Sequence, residues 1–215
     1  MLTHQLRTAQ TRKRRTTGKS SRQTEGNLRK RLLDAARKLL FSEGPLGITA
    51  RKVAAEAGCS ATAIYIHYQN LDHLLFALRL EGHALLARYL RAEMSKGKTW
   101  ARMRGGGRAY FRFGLENPAY YDLMFLARAG RSPVPEQVQQ EMYTLMMLHE
   151  VVVSGIEQGE IRPQRDTMAT TNAVWAQVHG VTSLAVQGLL VHTAPHGPQQ
   201  ILTLVMDSVE AWLST

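Results

Sequence analysis

Few residues of this chain stand in arrangements that could support catalysis. His149 and Glu150 are adjacent, so on a helix they point to different sides. His192 and His196 have helical spacing, but a proline interrupts the helix between them. The single cysteine, Cys59, excludes an intrachain disulfide and a zinc site made of four cysteines. We therefore expect no enzymatic activity, no bound metal and no cofactor.

Positive charge is the chemical feature that remains, and it is unevenly distributed. The 215 residues carry a formal net charge of +10. Residues 1–26 hold seven Lys and Arg against one acidic residue, whereas residues 77–215 hold thirteen against twelve. The densest charge is the run Arg12-Lys13-Arg14-Arg15. Such asymmetry indicates that the N-terminal third meets a polyanion, either a nucleic acid or an anionic membrane surface.

The polar composition of residues 1–26 predicts a flexible basic arm, because few large aliphatic side chains are available to bury. The arm also lacks the bulky apolar face that insertion into a membrane surface requires. No apolar region follows its basic residues as in a signal peptide, and no run of about 18 apolar residues could span a bilayer. We expect a cytoplasmic protein with no membrane partner.

From Asn27 onward the pattern of apolar residues predicts an all-α protein. Leucines and alanines between Leu28 and Leu40 recur at intervals of three and four residues, with basic side chains on the opposite face. A long helix is predicted from about Leu71 to Met94. Glycine and proline mark the boundaries of further helices, predicted over roughly 100–116, 118–127, 135–158, 166–192 and 197–213.

Two short helices on either side of a glycine predict a helix-turn-helix motif. Thr49 and Ser60 are suited to cap these helices, over residues 50–57 and 61–67. Small residues stand where the two helices would cross, namely Ala54, Gly58 and Ala63. An ordinary helical hairpin would leave the same pattern, so both interpretations remain open on spacing alone.

The segment from Thr49 to Tyr68 resembles the TetR family of bacterial transcriptional regulators. The typical family string is Thr, three variable residues, Ile-Ala, two variable residues, Ala-Gly-Val-Ser, then Leu-Tyr-x-His-Phe. The matching positions are Thr49, Val53-Ala54, Ala57-Gly58-Cys59-Ser60, Ile64-Tyr65 and His67-Tyr68, preceded by Leu32, Ala35, Ala36, Leu39 and Gly44. The resemblance implies a three-helix helix-turn-helix domain that a long helix joins to a C-terminal helical ligand-binding and dimerisation domain.

A second stretch is similar to one branch of the family's variable C-terminal region. It comprises Tyr110, Phe113, Asn117-Pro118-Ala119-Tyr120, Leu123-Met124-Phe125 and the Trp-x-x-x-His-Gly motif from Trp175 to Gly180. The two resemblances divide the chain into a basic arm over residues 1–26, a DNA-binding domain over 27–75, and a ligand-binding and dimerisation domain over 76–215.

The family resemblance implies a set of DNA contacts in the helix-turn-helix. Base or near-base contacts would come from Arg51, Ala61, Thr62 and Ala63. An arginine can fork onto guanine, a threonine can donate or accept, and an alanine can touch a thymine methyl group. Phosphate contacts would come from Lys52, Tyr65, His67 and the backbone N–H groups at the helix starts, and the predicted DNA-binding set also includes Ser60, Arg14 and Arg15. Core packing of Tyr65, or capping of its own helix by His67, is the alternative.

Two positions depart from the family pattern. Families of this kind usually place a phosphate-binding lysine where this chain has Leu71, so Gln69, Asn70 or the basic arm must supply that contact. Cys59 replaces the usual valine, and we interpret it as a small buried hydrophobic residue, with a redox sensor as the alternative.

The C-terminal part has more aromatic and methionine residues than one helical layer needs. Such side chains suit an adaptable apolar pocket, although each one could equally be core. The predicted pocket residues are Tyr110, Phe113, Tyr121, Met124, Phe125, Met142, Met146, Trp175 and His179. Arg108, Arg112 or His179 would orient a polar end of the ligand. The run Gly105-Gly106-Gly107 predicts a kink, a close helix contact or an opening to the pocket.

The last two long helices carry the apolar face that the family uses to form a homodimer. This face is predicted to contain Val174, Val178, Val181, Leu184, Ala185 and Leu189, then Ile201, Leu204, Val205, Val209 and Leu213. The predicted function is a repressor that binds a palindromic double-stranded DNA operator as a dimer and is released by a small apolar or aromatic effector. A ligand-independent architectural or nucleoid-type DNA-binding protein is the alternative.

Overall fold

The computed structural model describes residues 17–126, 135–190 and 196–215, with side chains throughout these ranges except at residues 17–26 and 135. Ten α-helices in this described part confirm the all-α prediction; their bounds are α1 Thr17–Glu43, α2 Ala50–Glu56, α3 Thr62–Tyr68, α4 Leu71–Met94, α5 Thr99–Glu116, α6 Pro118–Tyr121, α7 Pro135–Glu141, α8 Tyr143–Glu157, α9 Thr167–Val186 and α10 Pro198–Leu213. None of the helices described is both long and apolar enough to cross a membrane.

The chain separates into two compact units, Met1–Leu78 and Arg79–Thr215. In the first unit α1 packs on α2 and α3, and its buried residues include Leu32, Ala36 and Leu40. Of the small residues predicted at the crossing of α2 and α3, Ala54 and Ala63 are buried and Gly58 is exposed. The Tyr68 hydroxyl donates to the Arg29 carbonyl at 3.0 Å, which fixes the end of α3 to α1.

Side-chain and backbone caps define the short helices. Thr49 Oγ1 accepts from the Lys52 backbone N–H at 3.3 Å, as the sequence predicted for the start of α2. Gly58 has φ +65°, a conformation that glycine adopts without steric cost, and it turns the chain towards α3. The Ser60 side chain does not cap α3, whose N-cap residue is Ala61. Asn70 Oδ1 accepts from the His73 backbone N–H at 2.9 Å and caps α4.

Three helix boundaries differ from the sequence prediction. Helix α1 begins at Thr17, ten residues before the predicted start, so residues 17–26 of the predicted arm are helical. Extending a packed helix adds a hydrogen bond for each residue fixed, and no proline stops it here. The predicted helix over 135–158 is broken at Met142 into α7 and α8. Helix α9 ends at Val186, because Gly188 takes φ +72° and reverses the chain.

The second unit is organised around α5 and α9, which pack on each other, while both also contact α8 and α10. After α6, residues Asp122–Leu126 form a π-helical turn, a feature that often occurs at functional sites. The backbone of α5 comes close to α4 at the glycine run: a Cβ on Gly105 would lie 2.7 Å from the Glu93 carbonyl oxygen. Of the roles predicted for that run, a close helix contact is what Gly105 makes, while Gly106 and Gly107 line the cavity described below.

Candidate nucleic-acid interface and ligand cavity

Helix α3 and the start of α2 present a mixed polar and apolar surface to solvent. Arg51, Lys52, Ser60, Ala61 and Thr62 are all exposed, as the proposed contacts with DNA require. The ring of Tyr65 is 59% exposed, so it is not the core residue that the alternative interpretation offered. These five side chains and the Tyr65 side chain are therefore accessible on the surface formed by α3 and the start of α2.

Other members of the predicted DNA-contact set are placed differently. Ala63 is only 7% exposed, because it lies on the inward face of α3 with Ile64, which leaves little of its side chain for a base contact. The Lys52 ammonium contacts the Glu43 carboxylate, an exposed ion pair of the kind that contributes little stability and can be exchanged for a phosphate. His67 is half-buried in the last turn of α3. Arg14 and Arg15 lie outside the described residues.

Sequence reasoning missed the most exposed apolar side chain of α3. Ile66 is 73% exposed, between the exposed Tyr65 and the half-buried His67. An aliphatic side chain in this position can contact the methyl group of thymine. The signal was present in the sequence, because Ile64 and Ile66 cannot both face the core of a helix as short as α3.

The chain leaves α3 in a conformation that is rare for a side chain-bearing residue. Gln69 has φ +65°, the left-handed region, and it is exposed. Asn70 is half-buried, and its Oδ1 also lies 3.0 Å from His73 Nδ1. Leu71 is half-buried. Of the two residues proposed to replace the family's lysine, Gln69 is therefore the one whose side chain is more available to a phosphate.

The second unit contains a partly open cavity of about 380 Å³, within the range of small-molecule sites. Its wall is mainly aliphatic, aromatic and methionine side chains. Five of the nine predicted pocket residues line it: Tyr110, Met124, Phe125, Met142 and Trp175. Other lining residues were not predicted, among them His83, Leu86, Leu90, Met94, Met103, Glu141, Thr144, Leu148 and Met206.

Four predicted pocket residues lie elsewhere. Phe113 is fully buried one turn beyond the lining stripe of α5, with its ring 5.7 Å from that of Tyr89. Met146 is 42% exposed on the outer side of α8. Tyr121 and His179 stand behind the cavity wall rather than in it. The periodicity of a helix surrounded by partners does not distinguish a cavity-facing side from a core-facing side, which is why these positions were misplaced.

Tyr121 and His179 belong to a hydrogen-bonded aromatic cluster. The hydroxyl groups of Tyr110 and Tyr121 both lie 2.9 Å from His179 Nδ1. Trp175 Nε1 donates to the Tyr110 hydroxyl at 3.3 Å. Burial lowers the pKa of His179 and raises the pKa of Tyr110 well above its usual value. All of these groups are therefore neutral at pH 7. The cluster connects Tyr110 of the cavity wall to His179 of α9 through uncharged hydrogen bonds.

Arg108 and Arg112, predicted to orient the ligand, are exposed and do not line the cavity. The Arg112 guanidinium lies 3.6 Å from Glu93 and 5.3 Å from the centre of the Tyr89 ring. The polar groups at the cavity come instead from α4, α7, α8 and α9.

Part of the predicted dimer face is core within a single chain. Val174, Val178, Val181, Val209 and Leu213 are buried where α9 and α10 pack on their own unit. Large apolar side chains that stay exposed on or just after these helices are Leu184, Leu189, Leu204 and Trp212. The sequence could not separate the two sets because both follow the helical period.

Two family models match this chain. Residues 32–78 match the model of bacterial regulatory proteins of the tetR family. Residues 103–209 match the tetracyclin repressor-like C-terminal domain. The first range contains α2 and α3 with the exposed surface described above, and the second contains most of the cavity wall. No curated protein matches the chain by sequence.

Solved structures share the fold over most of the chain. A protein of unknown function from Rhodococcus sp. RHA1 is 25% identical, with a TM-score of 0.74, over 87% of this chain and 96% of its own. A TetR family transcription regulator from Marinobacter aquaeolei VT8 is 19% identical, with a TM-score of 0.65, over 90% and 98%. A tetR family regulatory protein from Rhodococcus RHA1 is 21% identical, with a TM-score of 0.62, over 87% and 97%.

The helix-turn-helix in the first unit and the helical cavity-bearing second unit thus correspond to the two matched models, in a fold shared with known regulators. The chain belongs to the TetR family, whose members are DNA-binding transcription factors and not enzymes.

Proposed function

We propose that this regulator is a repressor that binds a palindromic operator as a homodimer and is released by a small effector. The observation that carries the proposal is the apolar cavity of the second unit, because an architectural DNA-binding protein has no need of one. The effector would occupy the space between Tyr110, Met124, Phe125 and Trp175. Apolar walls with a few polar groups are typical of small-molecule sites.

DNA binding would use the exposed residues of α2 and α3. Arg51 and Thr62 would contact bases, together with Ile66, while Tyr65, Lys52 and Gln69 would contact phosphates. A homodimer through the exposed apolar residues of α9 and α10 would place two such surfaces on one palindrome, about 34 Å apart along the duplex.

Helix α4 would transmit the effector's presence to the DNA. It is one continuous helix from Leu71 to Met94, and four of its residues line the cavity: His83, Leu86, Leu90 and Met94. Met124, which also lines the cavity, occupies the space where a Cβ on Gly82 of α4 would lie, 2.5 Å from the Met124 sulfur. An effector that displaces Met124 would therefore act on α4 directly. Coupling of about 5- to 150-fold in affinity is usual for such systems.

Binding of fluorescent duplexes tests the proposal. A palindrome would first be selected from a randomised pool with the full chain, and its affinity compared with that of a random duplex over a salt series. If a dimer covers about eight phosphates, the slope of log affinity against log salt is expected near −7. Equal affinity for both duplexes would refute the operator. An operator complex whose affinity for a cavity-binding compound equals that of the free protein would refute release by an effector, since linkage is reciprocal.

A further inference from the structure

Three polar residues of the cavity wall, His83, Glu141 and Thr144, lie where α4 meets α7 and α8. Arg79 Nε donates to Glu141 Oε1 at 2.6 Å. One turn further along α4, His83 Nδ1 lies 3.1 Å from Thr144 Oγ1. The two pairs form successive links between the helices, and Glu141, His83 and Thr144 all line the cavity. This end of the cavity therefore offers hydrogen-bonding groups side by side.

Beyond His83, the residues of α4 that line the cavity are apolar. The stripe of α4 that lines the cavity continues from His83 through Leu86 and Leu90 to Met94. The eleven residue-to-residue steps of helix from His83 to Met94 correspond to about 16 Å at 1.5 Å each. Met103 of α5 and Met206 of α10 also line the cavity, and a Cβ on Gly107 would lie 2.9 Å from the Met206 sulfur. Glycine thus leaves room for methionine side chains, which adapt to an apolar ligand.

The polar end of the cavity carries no net charge that a ligand could neutralise. Among the described lining residues, Glu141 is the one Asp, Glu, Lys or Arg, and its side chain is 7% exposed. Arg79, itself 15% exposed, already pairs with it. A charged ligand group placed beside this neutral pair would be buried without a counter-charge, which is costly in an apolar site. An imidazole and a hydroxyl, by contrast, can each donate or accept a hydrogen bond.

We propose, on the basis of the function proposed above, that the effector is an elongated, uncharged amphiphile with one hydroxyl or carbonyl group. The polar group hydrogen-bonds to His83 and Thr144. The apolar part extends along α4 towards Met94 and Met206. The site discriminates against carboxylate and ammonium analogues of the same length, because the ion pair of Arg79 and Glu141 leaves no charge to receive them.

Displacement of a fluorescent probe from the full chain tests this assignment. The probe is N-phenyl-1-naphthylamine, an uncharged dye that fluoresces in apolar sites. The competitors are decan-1-ol, decanoate and decylammonium at pH 7.5, which differ only in the terminal group and are kept below micelle-forming concentrations. We expect decan-1-ol to displace the dye at a concentration at least tenfold lower than either charged competitor.

Two isosteric substitutions locate the polar group. Thr144→Val removes the hydroxyl next to His83, and decan-1-ol should then bind about 2- to 10-fold more weakly, with the affinities of the dye and of decanoate unchanged. Thr171→Val is the matched control, because Thr171 Oγ1 lies 3.1 Å from His149 Nδ1 in a second histidine–threonine pair that does not line the cavity. Its affinities should equal those of the unmodified protein. If Thr144→Val does not fold, His83→Gln serves in its place, with a loss for decan-1-ol alone expected.

Three results would overturn the assignment: equal displacement by a charged competitor, no displacement by any of the three, or the same loss in Thr171→Val as in Thr144→Val. Repeating the titration with the selected palindrome bound separates this inference from the proposed function. A preference for decan-1-ol without release of DNA would refute the repressor mechanism and leave the cavity assignment intact. Release of DNA by all three compounds alike would refute the head-group assignment only.

Discussion

The two units of this regulator use small residues for opposite purposes. In the first unit, Ala54 and Ala63 are buried where the short helices pack, Gly58 turns the chain between them, and polar side chains remain on the outside. In the second unit, glycines of α5 bring helix backbones together at one point and make room for methionine at the next. Close packing in the first case supports a rigid surface, whereas in the second it borders the cavity. Rigid presentation suits a DNA contact, and an adaptable wall suits a ligand.

Two isoleucines of α3 test the rigid surface and should give the largest effect. Ile64 is fully buried, so Ile64→Ala is expected to lower the free energy of unfolding by about 2–5 kcal/mol. Ile66→Ala should change it by less than about 0.5 kcal/mol and should instead weaken binding to a palindrome. Urea denaturation followed by circular dichroism, together with DNA titration, measures both. Equal destabilisation by the two substitutions would contradict the described orientation of α3.

Adjacent glycines of α5 provide the corresponding test in the second unit. A Cβ on Gly105 would meet backbone of Glu93 at 2.7 Å, whereas on Gly106 it would meet the flexible Met94 side chain at 3.0 Å. Gly105→Ala should therefore destabilise by about 1–3 kcal/mol. Gly106→Ala should be close to neutral, because the gain of about 1 kcal/mol from helix propensity offsets the movement of Met94. Thermal unfolding distinguishes the two substitutions. A larger loss of stability in Gly106→Ala than in Gly105→Ala would contradict a close helix contact at Gly105.

Arg51→Ala and Tyr65→Phe compare the loss of a base contact with the loss of a phosphate contact. Loss of a good base contact should reduce discrimination between a palindrome and its single-base variants by about 1–3 kcal/mol. Tyr65→Phe should weaken binding to all duplexes evenly, by about 0.5–1.5 kcal/mol, because a phosphate contact carries no sequence information. Titration of a panel of variant duplexes measures both effects. The opposite assignment would mean that α3 approaches the groove differently.

The aromatic cluster behind the cavity should give the smallest effect, through pH. Burial lowers the pKa of His179, so the unfolded chain takes up a proton at a higher pH than the folded chain does. The stability that neutral His179 contributes is therefore complete above its usual pKa and is lost as the pH falls below it. His179→Gln should flatten the fall of the urea midpoint between pH 7.5 and pH 5.5. The other histidines are common to both proteins, so an unchanged pH profile would exclude His179 as a contributor.

Sequence alone determined the all-α class, the position of the helix-turn-helix and the family. Local chemistry is sufficient for these, because a threonine cap, a left-handed glycine and a helical period act within a few residues of each other. The same local signals placed α4 at Leu71–Met94, as the structure has it.

Only the tertiary structure determined which side of each helix faces the core, the cavity or solvent. Ala63 and Ile66 stand three residues apart on α3, yet one is buried and the other exposed. Tyr110 lines the cavity, while Phe113, in the next turn of α5, lies in the core. Val178 is buried within its own unit, while Leu184 on the same helix remains exposed. A helix surrounded by partners has apolar residues on several sides, and only the packing of the other helices determines whether each side meets core, cavity or solvent.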